Sequence, residues 1–316
     1  MAEAAAQFAR RARTELGKVI VGQEDVLNQL LAVLLAGGHA LVEGVPGIAK
    51  TLAVKALAHL CRLEFQRVQC TPDLMPADIL GVNVYSAATG AFTFRRGPVF
   101  TDLLLVDEVN RMPPRTQAAL LECMEERQVT LDGTRYPLSR FFTAFATQNP
   151  VEFEGTYPLP EAQLDRFLLK IRIGYPDPDH EVEILNRYQN GFDPHDLGRL
   201  GLESIETDLL AAARREVAAV NVEPTLFRYI SLIVRKTRDW PALTLGGSPR
   251  ATVSLMQAAK ALAALDGRDY LVPDDVKQAA PAVLRHRLMV KPEADLEGIT
   301  PDRVVSEVLA AVEVPK

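Results

Sequence analysis

Gly44-Val45-Pro46-Gly47-Ile48-Ala49-Lys50-Thr51 decides how this chain is read, because of what flanks it. The preceding His39-Ala40-Leu41-Val42-Glu43 reads as a short buried strand, and the following Leu52 to Leu60 as a helix. Strand, glycine-rich turn and a Lys-Thr pair opening a helix form the arrangement that cradles a chain of phosphates. Gly44 and Gly47 let the backbone fold around an anion with its N–H groups inward, and the helix N-terminus adds positive potential. In that arrangement Lys50 reaches the β- and γ-phosphates and Thr51 offers its hydroxyl to Mg²⁺. One position departs from the usual G-x-x-x-x-G-K-[ST]: Ala49 stands where glycine is expected, the smallest possible intrusion.

Downstream, Thr101-Asp102-Leu103-Leu104-Leu105-Val106-Asp107-Glu108 is an apolar run that ends in two carboxylates. Leu103 to Val106 suits a strand buried on both faces, and acids at its C-terminal end sit where open α/β sheets bind ligands. Taken alone, this is a core strand followed by an acidic loop. Taken with the glycine-rich turn upstream, Asp107 is a holder of Mg²⁺ and Glu108 the carboxylate that polarises an attacking water.

Composition excludes several classes. The chain has 316 residues, with 48% apolar and 24% charged residues, an ordinary globular balance with room for two domains. A net charge of −6 gives no basic footprint for nucleic acid. Cys61, Cys70 and Cys123 are odd in number and lack C-x-x-C spacing, which points to a reducing compartment and away from disulfides or zinc. The apolar run Leu30–Ala36 stops at Gly37-Gly38, far short of the roughly 20 residues that a membrane span needs. Met1 to Leu16 has no apolar signal core and reads as a surface helix, so a cytoplasmic location is expected.

From residue 18 to about 173, strand-like and helix-like runs alternate, the signature of a mostly parallel, doubly wound sheet. Phe65 to Gln69 and Phe141 to Thr147 are further strands, and Pro113 to Arg127 a helix. Gln128–Leu131 and Thr134–Tyr136 flank Asp132-Gly133, a strong hairpin signal. A weaker hairpin joins Val82–Tyr85 to Ala91–Phe94 around Ala87-Ala88-Thr89-Gly90. After the proline-rich Gly174–Asp179 the pattern turns helical, with helices expected near 179–189, 208–220, 224–237, 249–265 and 273–285. The expected organisation is an α/β domain over 1–175, an αβα sandwich, followed by a small all-helical lid over 176–316. Arg95-Arg96 and Arg285-His286-Arg287 are read as solvated faces, and Trp240 as lid core.

These residues together carry a family. The chain resembles AAA+ ATPases, and within them the MoxR type, across nearly its whole length. Ile20-Val21-Gly22-Gln23 is similar to the segment such proteins place beside the adenine, which implies nucleotide contacts for Val21 and Gly22 as well as for Gly44 to Leu52. Thr71–Pro76 and Asp107–Arg111 resemble MoxR stretches, and the run Glu154 to Phe167 (EGTYPLPEAQLDRF) is the most diagnostic. The two hairpins resemble the family's helix insert and pre-sensor hairpin.

The resemblance implies roles for three polar residues. Asn149, at a strand end, matches sensor 1; its alternative is a turn residue before Pro150. Arg166 matches an arginine finger acting on a neighbouring subunit; its alternative is a surface ion pair with Asp165. Arg250 matches sensor 2, with Ser248 capping its helix and Pro249 in the first turn; its alternative is a helix-surface arginine. The family further implies ATP and Mg²⁺, a homo-oligomeric ring with six members, a von Willebrand factor A partner and a protein client. Two other readings stand beside remodelling of proteins: a nucleic-acid motor of the helicase branch, disfavoured by the acidic charge, and a nucleotide-gated assembly switch without turnover.

Overall fold

A computed structural model describes residues 2–45, 47–88, 90–149, 155–194 and 196–315. Pro46, Thr89, Pro150 and Glu154 lie outside the described residues. Five parallel strands form the central sheet, in the order Phe65–Gln69, Leu103–Asp107, Thr143–Gln148, Ala40–Glu43, Leu169–Arg172. Crossover connections between parallel neighbours need helices on the sheet's faces, and the middle strands are accordingly apolar on both sides. Leu103 and Leu105 enter one buried cluster and Leu104 and Val106 the other, as strand alternation requires. Register places Glu43 beside Gln148, and Gln69 beside Asp107, so the strands' C-terminal ends form one edge.

The first cluster does not stop at the sheet. It runs from Phe8 and Leu31 through Leu57 into Leu210, Leu255 and Val283, so the apolar core of the last third is continuous with that of the first. The N-terminal helix Glu3–Gly17, expected at the surface, buries Ala5, Phe8, Ala9, Ala12 and Leu16. Its alanines allow the helices Thr207–Ala219 and Pro249–Leu265 to pack close, and Ala5 N–H donates to Glu216 at 2.8 Å. The last third is a helical lid region carrying one short antiparallel pair, Leu243–Leu245 with Met289–Val290. Both expected hairpins form, Gly81–Ser86 with Ala91–Arg96 and Gln128–Leu131 with Thr134–Pro137. Among the described residues, no helix is long and apolar enough to cross a membrane.

Arg285-His286-Arg287 is no solvated face: His286 and Arg287 are each 6% exposed, and Arg285 is largely buried. They follow the helix Pro273–Leu284 into the seam between lid and sheet, where backbone carbonyls at 167, 168 and 170 accept their N–H groups. Charge runs at helix ends look solvated in sequence because their acceptors lie far away along the chain.

Candidate active site

The turn between Ala40–Glu43 and the helix Lys50–Leu60 is built as its glycines suggest. Gly44 is a close approach: a Cβ there would lie 2.3 Å from Ile48 Cδ1 and 2.8 Å from the Ile173 carbonyl. Gly47 adopts φ +85° with open space where a side chain would stand. Ala49, the departure from pattern, is the residue before the helix and holds the left-handed conformation (φ 65°). The intrusion is therefore less one of volume than of backbone, since left-handed geometry costs an L-residue roughly 1–2 kcal/mol. Lys50 Nζ donates to the Gly44 carbonyl and, at 3.2 Å, to that of Val45, folding back over the turn. Thr51 follows in the first helical turn.

Beside the turn lies a cavity of about 450 Å³, a size suited to a nucleoside. Val21, Gly47, Ile48, Ala49 and Leu52 line it, so the structure brings together residues that the sequence placed on two separate segments. Gly22 is set slightly apart, at φ +68°, where its missing side chain admits the His180 ring. The cavity's roof escaped sequence reading: Tyr175, Leu185 and Tyr188 come from what looked like a connector and a lid helix, Pro178–Gln189. The available signal was Asp177-Pro178, since Asp177 caps that helix by accepting the His180 N–H at 2.9 Å.

The carboxylates stand at the same edge of the sheet. Asp107 is buried, and its Oδ1 accepts the Thr147 hydroxyl at 2.5 Å. Its Oδ2 takes Arg67 Nε at 3.0 Å and Nη2 at 2.6 Å from the neighbouring strand. Glu108 sits in the left-handed region (φ 57°), its N–H held by Thr147 Oγ1 at 3.0 Å. Strained backbone of this kind concentrates at functional positions. The Glu108 carboxylate accepts Gln69 Nε2 at 2.9 Å and lies 3.3 Å from Arg111 Nε. Asn149 is buried at the end of Thr143–Gln148, one strand over. Arg67, Gln69 and Thr147 were missed because neighbouring strands bring them into place, not spacing along the chain.

Arg166 and Arg250 are elsewhere. Both meet Glu125, Arg166 Nε at 3.1 Å from Oε2 and Arg250 Nη2 on Oε1. Asp165 is not the partner of Arg166; it accepts from Ser248 and Arg287 instead. The Leu168 N–H bonds to the His39 carbonyl, just before Ala40–Glu43 begins, and His39 Nε2 meets the Met124 carbonyl at 3.0 Å. Arg166 and Glu125 thus lie at the N-terminal edge of the sheet. The glycine-rich turn lies at the C-terminal edge, roughly 15 Å of strand away.

A glycine-rich turn leading from strand to helix on a five-stranded parallel sheet, with paired carboxylates at its C-terminal edge and a helical lid region, defines an AAA ATPase. The profile of the ATPase family associated with various cellular activities (AAA) matches residues 39–169, and that of the AAA lid domain residues 235–308. The chain belongs to the MoxR family of AAA ATPases, enzymes that hydrolyse ATP. It is 47% identical to YeaC of Bacillus subtilis, over 96% of this chain and 94% of that protein. It is 43% identical to the chaperone MoxR1 of Mycobacterium tuberculosis, over 97% and 82%. A solved structure of a protein from Cytophaga hutchinsonii superposes with a TM-score of 0.89 at 40% identity, over 99% of this chain and 98% of that one.

Proposed function

We propose that this ATPase works as a Mg²⁺-dependent homo-oligomeric ring, a hexamer in this reading, that couples hydrolysis to remodelling or maturation of a protein client. The chaperone designation of the Mycobacterium tuberculosis relative supports a protein client. A partner with a von Willebrand factor A domain belongs to the same reading, on family resemblance. The working division is a nucleotide-binding unit over 1–175 and a lid over 176–316, with Leu185 and Tyr188 of the nucleotide cavity's roof drawn from the lid side.

In the proposed chemistry, the Gly44–Leu52 segment and Val21 hold the nucleotide, with Lys50 turning from the Gly44 and Val45 carbonyls to the phosphates. Thr51 and Asp107 offer hydroxyl and carboxylate oxygens, the hard donors that Mg²⁺ takes. Mg²⁺ bound there supplies charge neutralisation on the phosphate oxygens. Glu108 accepts the proton of the attacking water, and Asn149 orients that water.

The separation of the two groups carries the ring reading. Arg166 and Arg250 share Glu125 at one edge of the sheet, while Lys50, Asp107 and Glu108 occupy the other. No arginine side chain spans such a gap, so these two guanidinium groups act, if they act on phosphate, in a neighbour's site. Arg166→Ala is expected to bind ATP normally and to hydrolyse it about 10³-fold more slowly, as for other arginine fingers. Mixed with Glu108→Gln protein it should regain activity, because one interface then holds an intact Glu108 and an intact Arg166. Mixed rings that form and stay inactive at every ratio would overturn the trans assignment.

A further inference from the structure

Arg166 lies in a turn between the helix Glu161–Leu164 and the strand Leu169–Arg172, and its neighbours on both sides are held by one buried side chain. Arg287 Nε donates to Asp165 Oδ1 at 2.6 Å, and its Nη2 to the Asp165 and Phe167 carbonyls at 3.1 and 2.6 Å. Its Nη1 reaches the Leu168 carbonyl at 3.2 Å. The same guanidinium is tied to the helical side through Ser254 Oγ at 3.1 Å and the Val283 carbonyl. With its side chain only 2% exposed, it has no water to fall back on, and every bond it makes holds one of these pieces in register.

The second oxygen of Asp165 has a separate task. Oδ2 accepts the Ser248 hydroxyl at 2.7 Å. Ser248 is also the cap of the helix Pro249–Leu265, accepting the Ala251 N–H at 3.2 Å, and Arg250 is the second residue of that helix. One carboxylate therefore fixes the segment that presents Arg166 to the helix that presents Arg250. Glu125 then gathers the two guanidinium groups at the surface, 30% and 42% exposed in their side chains.

We infer that Asp165, clamped between Arg287 and Ser248, is a positioning residue that sets Arg166 and Arg250 as a pair for the neighbouring subunit's phosphates. The lid region thereby aims both arginines: a displacement of Ser248 or Arg287 moves the turn on which Arg166 sits. This role rests on the trans reading of Arg166 proposed above. A merely structural Asp165 would act on its own subunit's fold and its own nucleotide site. A positioning Asp165 acts on the site next door.

Complementation of full-length variants separates the two. Asp165→Asn keeps the shape but offers one acceptor oxygen where two donors need one each. It should bind ATP within about twofold of the parent and hydrolyse it about tenfold more slowly, the loss expected when charge-assisted hydrogen bonds become neutral or go unmade. Mixing with Glu108→Gln should restore activity to the level of the Glu108→Gln and Arg166→Ala mixture. Mixing with Arg166→Ala should restore nothing, since both chains then lack a correctly held arginine. Arg287→Lys keeps the charge without the planar fork and should give the same pattern. Parental turnover in Asp165→Asn, recovery with Arg166→Ala, or ATP affinity falling in step with rate would each overturn the proposal. If Glu108→Gln fails to rescue Arg166→Ala itself, the trans reading fails and the positioning role falls with it.

Discussion

Arg67 donates from Nη2 to Oδ2 of Asp107 at 2.6 Å, from the adjacent strand of the sheet. A guanidinium thus rests on the carboxylate proposed to hold Mg²⁺, and the two cations compete for one oxygen. Arg67 is half exposed, so its hold is modest, on the order of 0.5–1 kcal/mol for a pair of this kind. Arg67→Ala should lower the metal concentration for half-saturation about two- to fivefold. Titration with Mn²⁺ in the presence of a non-hydrolysable ATP analogue, followed by electron paramagnetic resonance, measures it. A raised half-saturation would mean that Arg67 shapes the site instead of occupying it.

Ala49 holds a left-handed backbone that glycine adopts freely. Ala49→Gly should therefore stabilise the chain by about 1 kcal/mol, against the roughly 0.5–1 kcal/mol that glycine ordinarily costs in a helix. Denaturant unfolding of the two proteins without nucleotide is the measurement. A destabilised variant would show that the Ala49 Cβ packs usefully against the cavity that it lines.

Lys50 and Glu108 should separate binding from turnover. Lys50→Ala removes a charge whose present partners are the Gly44 and Val45 carbonyls, so the fold should persist while ATP affinity drops by about a hundredfold or more. Glu108→Gln keeps the Gln69 contact in reach but loses the base, and turnover should fall by about 10²–10⁴ with ATP still bound. Fluorescent-nucleotide binding and phosphate release report the two quantities. Near-parental turnover in Glu108→Gln would assign water activation to another residue.

His39 gives the chain an acid-side weakness. Its Nε2–H faces the Met124 carbonyl and its Nδ1 accepts the Ala144 N–H at 2.9 Å, so a second proton would oppose an N–H donor. Burial, with Arg127 nearby, depresses its pKa from 6.5 to about 4. The unfolded chain takes up that proton near pH 6.5 and the folded chain only near 4, so stability falls as pH drops through this window, by up to about 3 kcal/mol. His286, buried against Arg287, is shifted in the same direction. His39→Gln should flatten the pH dependence of unfolding between 6.5 and 4, whatever it does to stability at pH 7. An unchanged slope would mean that another group carries the acid sensitivity.

Local chemistry explains which parts were legible in sequence. The turn from Gly44 to Thr51 and the run Leu103–Glu108 carry their signals in consecutive residues, and the strands form where the apolar runs lie. The helices Pro224–Arg238 and Pro249–Leu265 begin at prolines, which suit a first turn and mark the start unambiguously. Leu243–Leu245 and Met289–Val290 stayed hidden because a two- or three-residue strand has no periodicity to read. Arg287 stayed hidden for a different reason: its partners at 165, 167 and 168 are distant in the chain, and a buried arginine is legible only by its acceptors. Arg67 and Gln69 belong to the same class, placed beside Asp107 and Glu108 by strand order alone.

The roof of the cavity beside the glycine-rich turn has an energetic consequence. No residue of Pro178–Gln189 is buried, and Val182, Leu185 and Tyr188 are each more than half exposed. A helix so lightly packed, tied through Arg187 to the Gly17 and Lys18 carbonyls, belongs to the low end of the range of local opening free energies, below the central sheet. A ligand that fills the cavity adds apolar contacts to Leu185 and Tyr188 that the empty chain lacks, and raises that opening free energy without displacing the core. Occupancy of the site is in this way registered as order in one helix, a change in fluctuation before it is a change in shape.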